Sequence, residues 1–187
     1  MSIEQLRIAA FSAYLAAWLG LGLAAAVSAI SRRGRSVAVQ PLLSGRVMGG
    51  TILQALSPML ITLSMSDSPL RPQPAESIGI LLLAPFAAGL FTWSLRSAAA
   101  NATSDGLVTT GAYGWVRHPI YLAFLAMLVA TGLVASARFP LVAAAIMYLA
   151  GSEVRIAVEE EELAERFSGA YAQYQQRTRW RYLPGIR

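Results

Sequence analysis

Five apolar stretches limit this chain more than any other feature of its sequence. Residues 8–30 form an uninterrupted apolar run of 23 residues, long enough to cross a hydrocarbon core of ~30 Å as a helix rising ~1.5 Å per residue. Residues 47–65 and 78–95 form the second and third, with Pro58 and Pro85 inside them as expected kinks. A fourth covers residues 120–137, and a fifth opens at residues 141–151 after Arg138, Phe139 and Pro140, read as a tight turn. Hydrophobic residues make up 56% of the chain and charged residues 13%, which excludes an ordinary soluble domain. The first run also resembles a secretory signal with a cleavage site near Ser28. It is too long for one, however, and Glu4 stands where a basic region belongs.

The arginines test this division. The chain has no lysine, so all fifteen basic residues are arginine. With five spans, residues 31–46, 96–119 and 155–187 share one side and carry twelve of them, leaving Arg7, Arg71 and Arg138 opposite. Basic residues collect in cytoplasmic loops, so the N-terminus is expected outside and the C-terminus in the cytoplasm, in a multi-pass protein of a prokaryotic cytoplasmic membrane. The net charge of +5 then reflects topology, and nucleic acid is excluded as a partner. The absence of cysteine removes disulfides, thiolate ligands and a cysteine nucleophile. With one histidine as well, no metal site is expected.

Chemistry is concentrated in two places on the cytoplasmic side. The first is the connector DGLVTTGAYGWVRHPIY, residues 105–121, which interleaves Gly106, Gly111, Gly114 and Pro119 with Tyr113, Trp115 and Tyr121 around His118. Turn-forming glycines beside aromatics, Arg117 and a histidine describe either a binding loop or a membrane-interface anchor. The second is the continuation of the fifth helix beyond its apolar part. Arg155 and Glu159 are four residues apart on one face, as in an ordinary surface salt bridge, yet they follow directly on a membrane segment, where ionisable groups mark sites. Most of the carboxylates in the run 159–162 are expected on a solvated face. No Ser-His-Asp arrangement and no phosphate-binding glycine loop is evident. Together these features describe a cytosolic pocket lined by aromatics, with one arginine and one or two glutamates beside a lipid-accessible chamber.

The segments LVTTGAYGWVRHPIY and RIAVEEEELAERFSGAYAQY, separated by a span, resemble the isoprenylcysteine carboxyl methyltransferase and phospholipid methyltransferase superfamily. The pattern there is G-x-Y-x-x-x-R-H-P-x-Y, a helical hairpin, then R-x-x-x-E-E-x-x-L-x-x-x-F-G-x-x-Y-x-x-Y. The resemblance covers residues 105–184, and the first three spans carry no such signature. Ser168 replaces the family's glycine, and Asp105 stands where members acting on prenylated proteins carry histidine.

The resemblance implies an all-α integral membrane enzyme in a single domain, residues 1–187. Three N-terminal spans (1–95) would precede a methyltransferase core (96–187) containing the helical hairpin of spans four and five. The 96–119 connector and the C-terminal tail would form the cytosolic cofactor pocket. It implies S-adenosyl-L-methionine as cofactor, S-adenosyl-L-homocysteine as product, and a lipophilic acceptor reached from the membrane lipids. Carried over by position, the cofactor contacts fall on Asp105, Gly106, Leu107, Val108, Tyr113, His118, Pro119, Ile120, Tyr121 and Glu159. The substrate-side arginine falls on Arg155, which with Glu159 forms the catalytic pair. Carboxyl O-methylation of an isoprenylcysteine-like or other lipid carboxylate is the expected reaction. Phospholipid or small-molecule N-, S- or O-methylation, an NADPH-dependent lipid reductase of the same C-terminal arrangement, and a non-enzymatic membrane scaffold are the alternatives.

Overall fold

The computed structural model of the protein describes residues 2–31, 45–64, 72–100, 106–183 and 185. Six helices follow in order: α1 (Ile3–Ser31), α2 (Gly45–Leu63), α3 (Pro74–Ala100), α4 (Ala112–Trp115), α5 (Pro119–Val134) and α6 (Arg138–Arg177). Among the described residues the protein is all-helical, as expected. Three helices are long and apolar enough to cross a membrane: residues 3–27 of α1, then α3 and α6. α5 is apolar but shorter. Large apolar side chains such as Leu19, Leu23, Leu82 and Ile146 stay exposed along these helices, as in segments solvated by lipid.

Neighbouring helices form a row. α1 packs on α3, α3 on α5, α5 on α6, and α2 on α6, so the second helix in sequence stands beside the last. The α2–α6 contact is made by backbone approach. A Cβ on Gly50 would lie 2.7 Å from Arg155 Cγ and 2.8 Å from the Gly151 carbonyl, and one on Gly151 would lie 2.6 Å from the Gly50 carbonyl. In lipid, where apolar surface drives helices together only weakly, this small-residue packing is a main source of adhesion.

The fourth and fifth apolar stretches form a hairpin, but the turn differs from expectation. It falls at residues 135–137, and Arg138, Phe139 and Pro140 belong to the first turn of α6. A proline costs little there, because the first four N–H groups of a helix lack intrahelical partners. α6 is assigned over 40 residues; the part before Ser168, residues 138–167, is ~45 Å long at 1.5 Å per residue, longer than the bilayer core. Its apolar part ends near Ser152, and the rest carries the charged residues. Ser168 breaks the helical path with φ 42° and ψ −117°. This is the position where the resembling family has glycine.

Candidate functional site

The site forms where the N-terminus of α5 meets the middle of α6. Pro119 occupies the first helical position of α5, where its fixed φ favours initiation, and His118 is the N-cap residue. The R-H-P-x-Y run is therefore a helix start. It turns His118 and Tyr121, three residues apart, toward one neighbour. That neighbour is α6, whose helical repeat brings Arg155, Glu159 and Glu160 alongside.

His118 lies between two carboxylates, with Nδ1 3.4 Å from Glu159 Oε2 and Nε2 3.3 Å from Glu160 Oε1. The Tyr121 hydroxyl donates to Glu159 Oε1. Arg155 Nη2 lies 3.6 Å from the same oxygen, and its guanidinium stands over the Tyr121 ring, 5.5 Å from the centroid. Arg117 donates from Nε to Glu160 Oε1 at 2.8 Å, in a pair whose side chains are 6% and 10% exposed. Its Nη1 donates to the Thr178 and Arg179 carbonyls, both at 2.9 Å. Burial alone would lower the pKa of His118, but hydrogen bonds and charge from Glu159 and Glu160 outweigh it. The net shift is upward, toward the imidazolium.

The C-terminal tail closes this cluster. The Arg117 and His118 N–H groups donate to the Trp180 and Arg181 carbonyls at 2.9 and 2.7 Å. Arg181 donates to Glu153 Oε2 at 2.8 Å and lies 3.3 Å from Glu160 Oε2. The Tyr182 hydroxyl donates to Glu153 Oε1 at 2.8 Å, and its ring is buried in the main apolar core beside Tyr121 and Ile156. A cleft of about 440 Å³ is lined by Arg117, Gln175, Gln176 and Arg179.

The structure thus brings together four residues singled out from sequence: His118, Tyr121, Arg155 and Glu159. Others fall nearby but apart. Leu107 packs with Tyr171 and Tyr174, with Tyr113 against that group, and the Tyr113 carbonyl accepts from the Tyr174 hydroxyl at 2.7 Å. Gly106 adopts φ +92°, Pro119 is fully buried, and Ile120 faces the main core. Val108, half-buried, lies in the same extended stretch as Leu107. Asp105 lies outside the described residues.

Of the run 159–162, most of which was expected on a solvated face, Glu160 as well as Glu159 turns inward: it is 8% exposed and at the centre of the charge network, because Arg117, His118 and Arg181 surround it. Sequence reading also missed Gln54 of α2, which bonds both Arg155 and Ser152. A lone amide inside an apolar span was the available signal.

Residues 80–165 match the isoprenylcysteine carboxyl methyltransferase (ICMT) family. The match bears out the resemblance seen in the two motifs and supports a membrane methyltransferase. It begins inside α3, so the third span carries family signal that the motifs alone did not show. No curated protein matches the chain.

Proposed function

We propose that the protein is an S-adenosylmethionine-dependent methyltransferase acting on a lipophilic acceptor at the membrane, with carboxyl O-methylation as its reaction. The observation that carries this reading is the single charge network joining His118, Tyr121, Arg155 and Glu159, assembled from the two family-like segments. In this reading α2 and α5 are the remaining two of five spans, and the site faces the cytoplasm.

The residues fit the cofactor in chemical type. An ionised carboxylate (Glu159) and an aromatic ring (Tyr121) suit its ammonium and sulfonium charges. Leu107, Val108, Tyr113, Pro119 and Ile120 supply apolar surface. Gly106 gives backbone that approaches closely, and Asp105 precedes it in the chain. S-Adenosylmethionine supplies an electrophilic methyl group on a sulfonium. The chain's own part is to bind and orient. Arg155 holds an anionic acceptor by its planar fork, with Tyr121 fixing the plane of the guanidinium. His118 keeps Glu159 and Glu160 apart and oriented. A carboxylate acceptor is already ionised at neutral pH, so positioning and exclusion of water carry the rate. An amine or phenol acceptor would need Glu159 or Glu160 as base.

A second reading, an NADPH-dependent lipid reductase, draws support from the two arginines of the cleft, which suit a 2′-phosphate. Calorimetric titration of the purified protein with S-adenosylhomocysteine and, separately, NADPH separates the two. The methyltransferase reading expects micromolar binding of the former, lost in Glu159→Ala and Tyr121→Ala and kept in Glu162→Ala. Binding of NADPH alone would replace it with the reductase.

A further inference from the structure

Arg155 is held from two directions. Its Nη1 donates to Gln54 Oε1 of α2 at 2.9 Å. On the other side, among the described residues, Nη2 has only the 3.6 Å ion-pair contact with Glu159, and Nε–H is buried without a hydrogen-bond partner. A guanidinium grips a carboxylate side-on through Nε and Nη2, and this is the edge left without a short hydrogen bond. Gln54 is itself fixed. Its Nε2 donates to Ser152 Oγ at 2.9 Å, and the fully buried Ser152 hydroxyl donates to the Tyr148 carbonyl at 2.8 Å. The Tyr148 hydroxyl in turn donates to the Tyr121 carbonyl at 2.9 Å. Backbone contact at Gly50 and Gly151 brings Gln54 this close, since any bulk there would push α2 away. An unpartnered charged donor is costly to bury, and with Nη1 engaged by Gln54 the Nε–Nη2 edge of Arg155 is the one still to be satisfied.

We propose that Gln54 is a positioning residue for the acceptor. By occupying Nη1 of Arg155 it presents the Nε–Nη2 edge to the acceptor's anionic group, so α2 forms the specificity-setting wall of the site. The inference rests on the methyltransferase reading and names the element that orients its substrate.

The test uses N-acetyl-S-farnesyl-cysteine as the carboxylate probe and its methyl ester as the neutral control, both with S-adenosylhomocysteine present. Gln54→Leu keeps the side-chain bulk and removes the acceptor oxygen. It is expected to weaken probe binding roughly tenfold, as for a lost hydrogen bond to a charged group, and to raise KM with little change in kcat. The methyl ester and S-adenosylhomocysteine should bind as they do to the unmodified protein. Combined with Arg155→Lys, Gln54→Leu should cost nothing further, because both act on the same fork. Ser152→Ala deletes one buried oxygen and frees the far end of Gln54. It should shift KM in the same direction and covers the case in which Gln54→Leu does not fold. An unchanged KM in both variants, losses that multiply with Arg155→Lys, or equal weakening of ester and acid would reduce Gln54 to helix packing and overturn the proposal. Failure of the unmodified protein to bind S-adenosylhomocysteine would instead remove the methyltransferase reading beneath it.

Discussion

At the scale of single residues, the site is a set of charges that neutralise one another away from water. Removing one partner of a buried pair leaves the other uncompensated, so Arg117→Ala is expected to destabilise the protein by ~3 kcal/mol, measured as a lower unfolding midpoint in detergent. Arg46→Ala, which breaks the exposed pair with Glu161, should leave that midpoint unchanged. His118 titrates in the opposite sense to a stabilised carboxylate. Its folded pKa is raised above 6.5, so its contribution is complete below pH 6.5 and is lost as pH climbs through the raised value. Melting temperature should therefore fall as pH rises above 6.5 through that shifted value, and His118→Gln should flatten the fall. A fall of equal size in both proteins would show that another group is responsible. Arg155 and Glu159 were legible in sequence because their pairing is local, four residues along one helix. The burial of Glu160 was not, because Arg117 and Arg181, contributed by the connector and the tail, create it. Gln54 was hidden for the same reason, since its meaning depends on a helix about a hundred residues away.

At the scale of elements, α6 bears the most demands. It crosses the apolar layer, carries Arg155, Glu159 and Glu160, and then bends at Ser168 to send the tail back to the site. A serine at φ 42° holds strain of ~1 kcal/mol or more that glycine would relieve. Ser168→Gly is expected to raise the unfolding midpoint, and Ser168→Val to lower it. The bend was not legible in sequence, because the helical pattern runs straight through this position and a serine stands where the resembling family has glycine. The contact of α2 with α6 is equally exacting. Gly50→Val should cost at least 1–3 kcal/mol, the usual range for overpacking, because part of what it meets is backbone. Carboxylate-probe binding should decline with it while S-adenosylhomocysteine binding persists. The start of α5 was nearly readable, since the apolar stretch from residue 120 begins one residue after a proline that suits the first helical position.

At the scale of the whole molecule, the apolar runs dictated helices, but only the folded chain gives their order in the row. Sequence distance does not encode which apolar face meets which when lipid solvates all of them alike. The proposed orientation is open to a direct check, because the chain has no cysteine to remove. A single cysteine at Arg179, beside the site, should react with an impermeant maleimide only from the cytoplasmic face. One at Phe139, 91% exposed at the start of α6, should react only from the other. Labelling of both from the same face would break the proposed topology.

The position of α2 beside α6 also bears on how the protein is made. Among the described residues it touches neither α1 nor α3, so in the proposed five-span topology it would enter the bilayer during translation with no neighbour to hold it. Its partner face on α6 is synthesised about a hundred residues later. Until then Gln54 has neither Arg155 nor Ser152 to satisfy it. Assembly of the site is thereby tied to the synthesis of α6, and the second helix made is among the last to find its place.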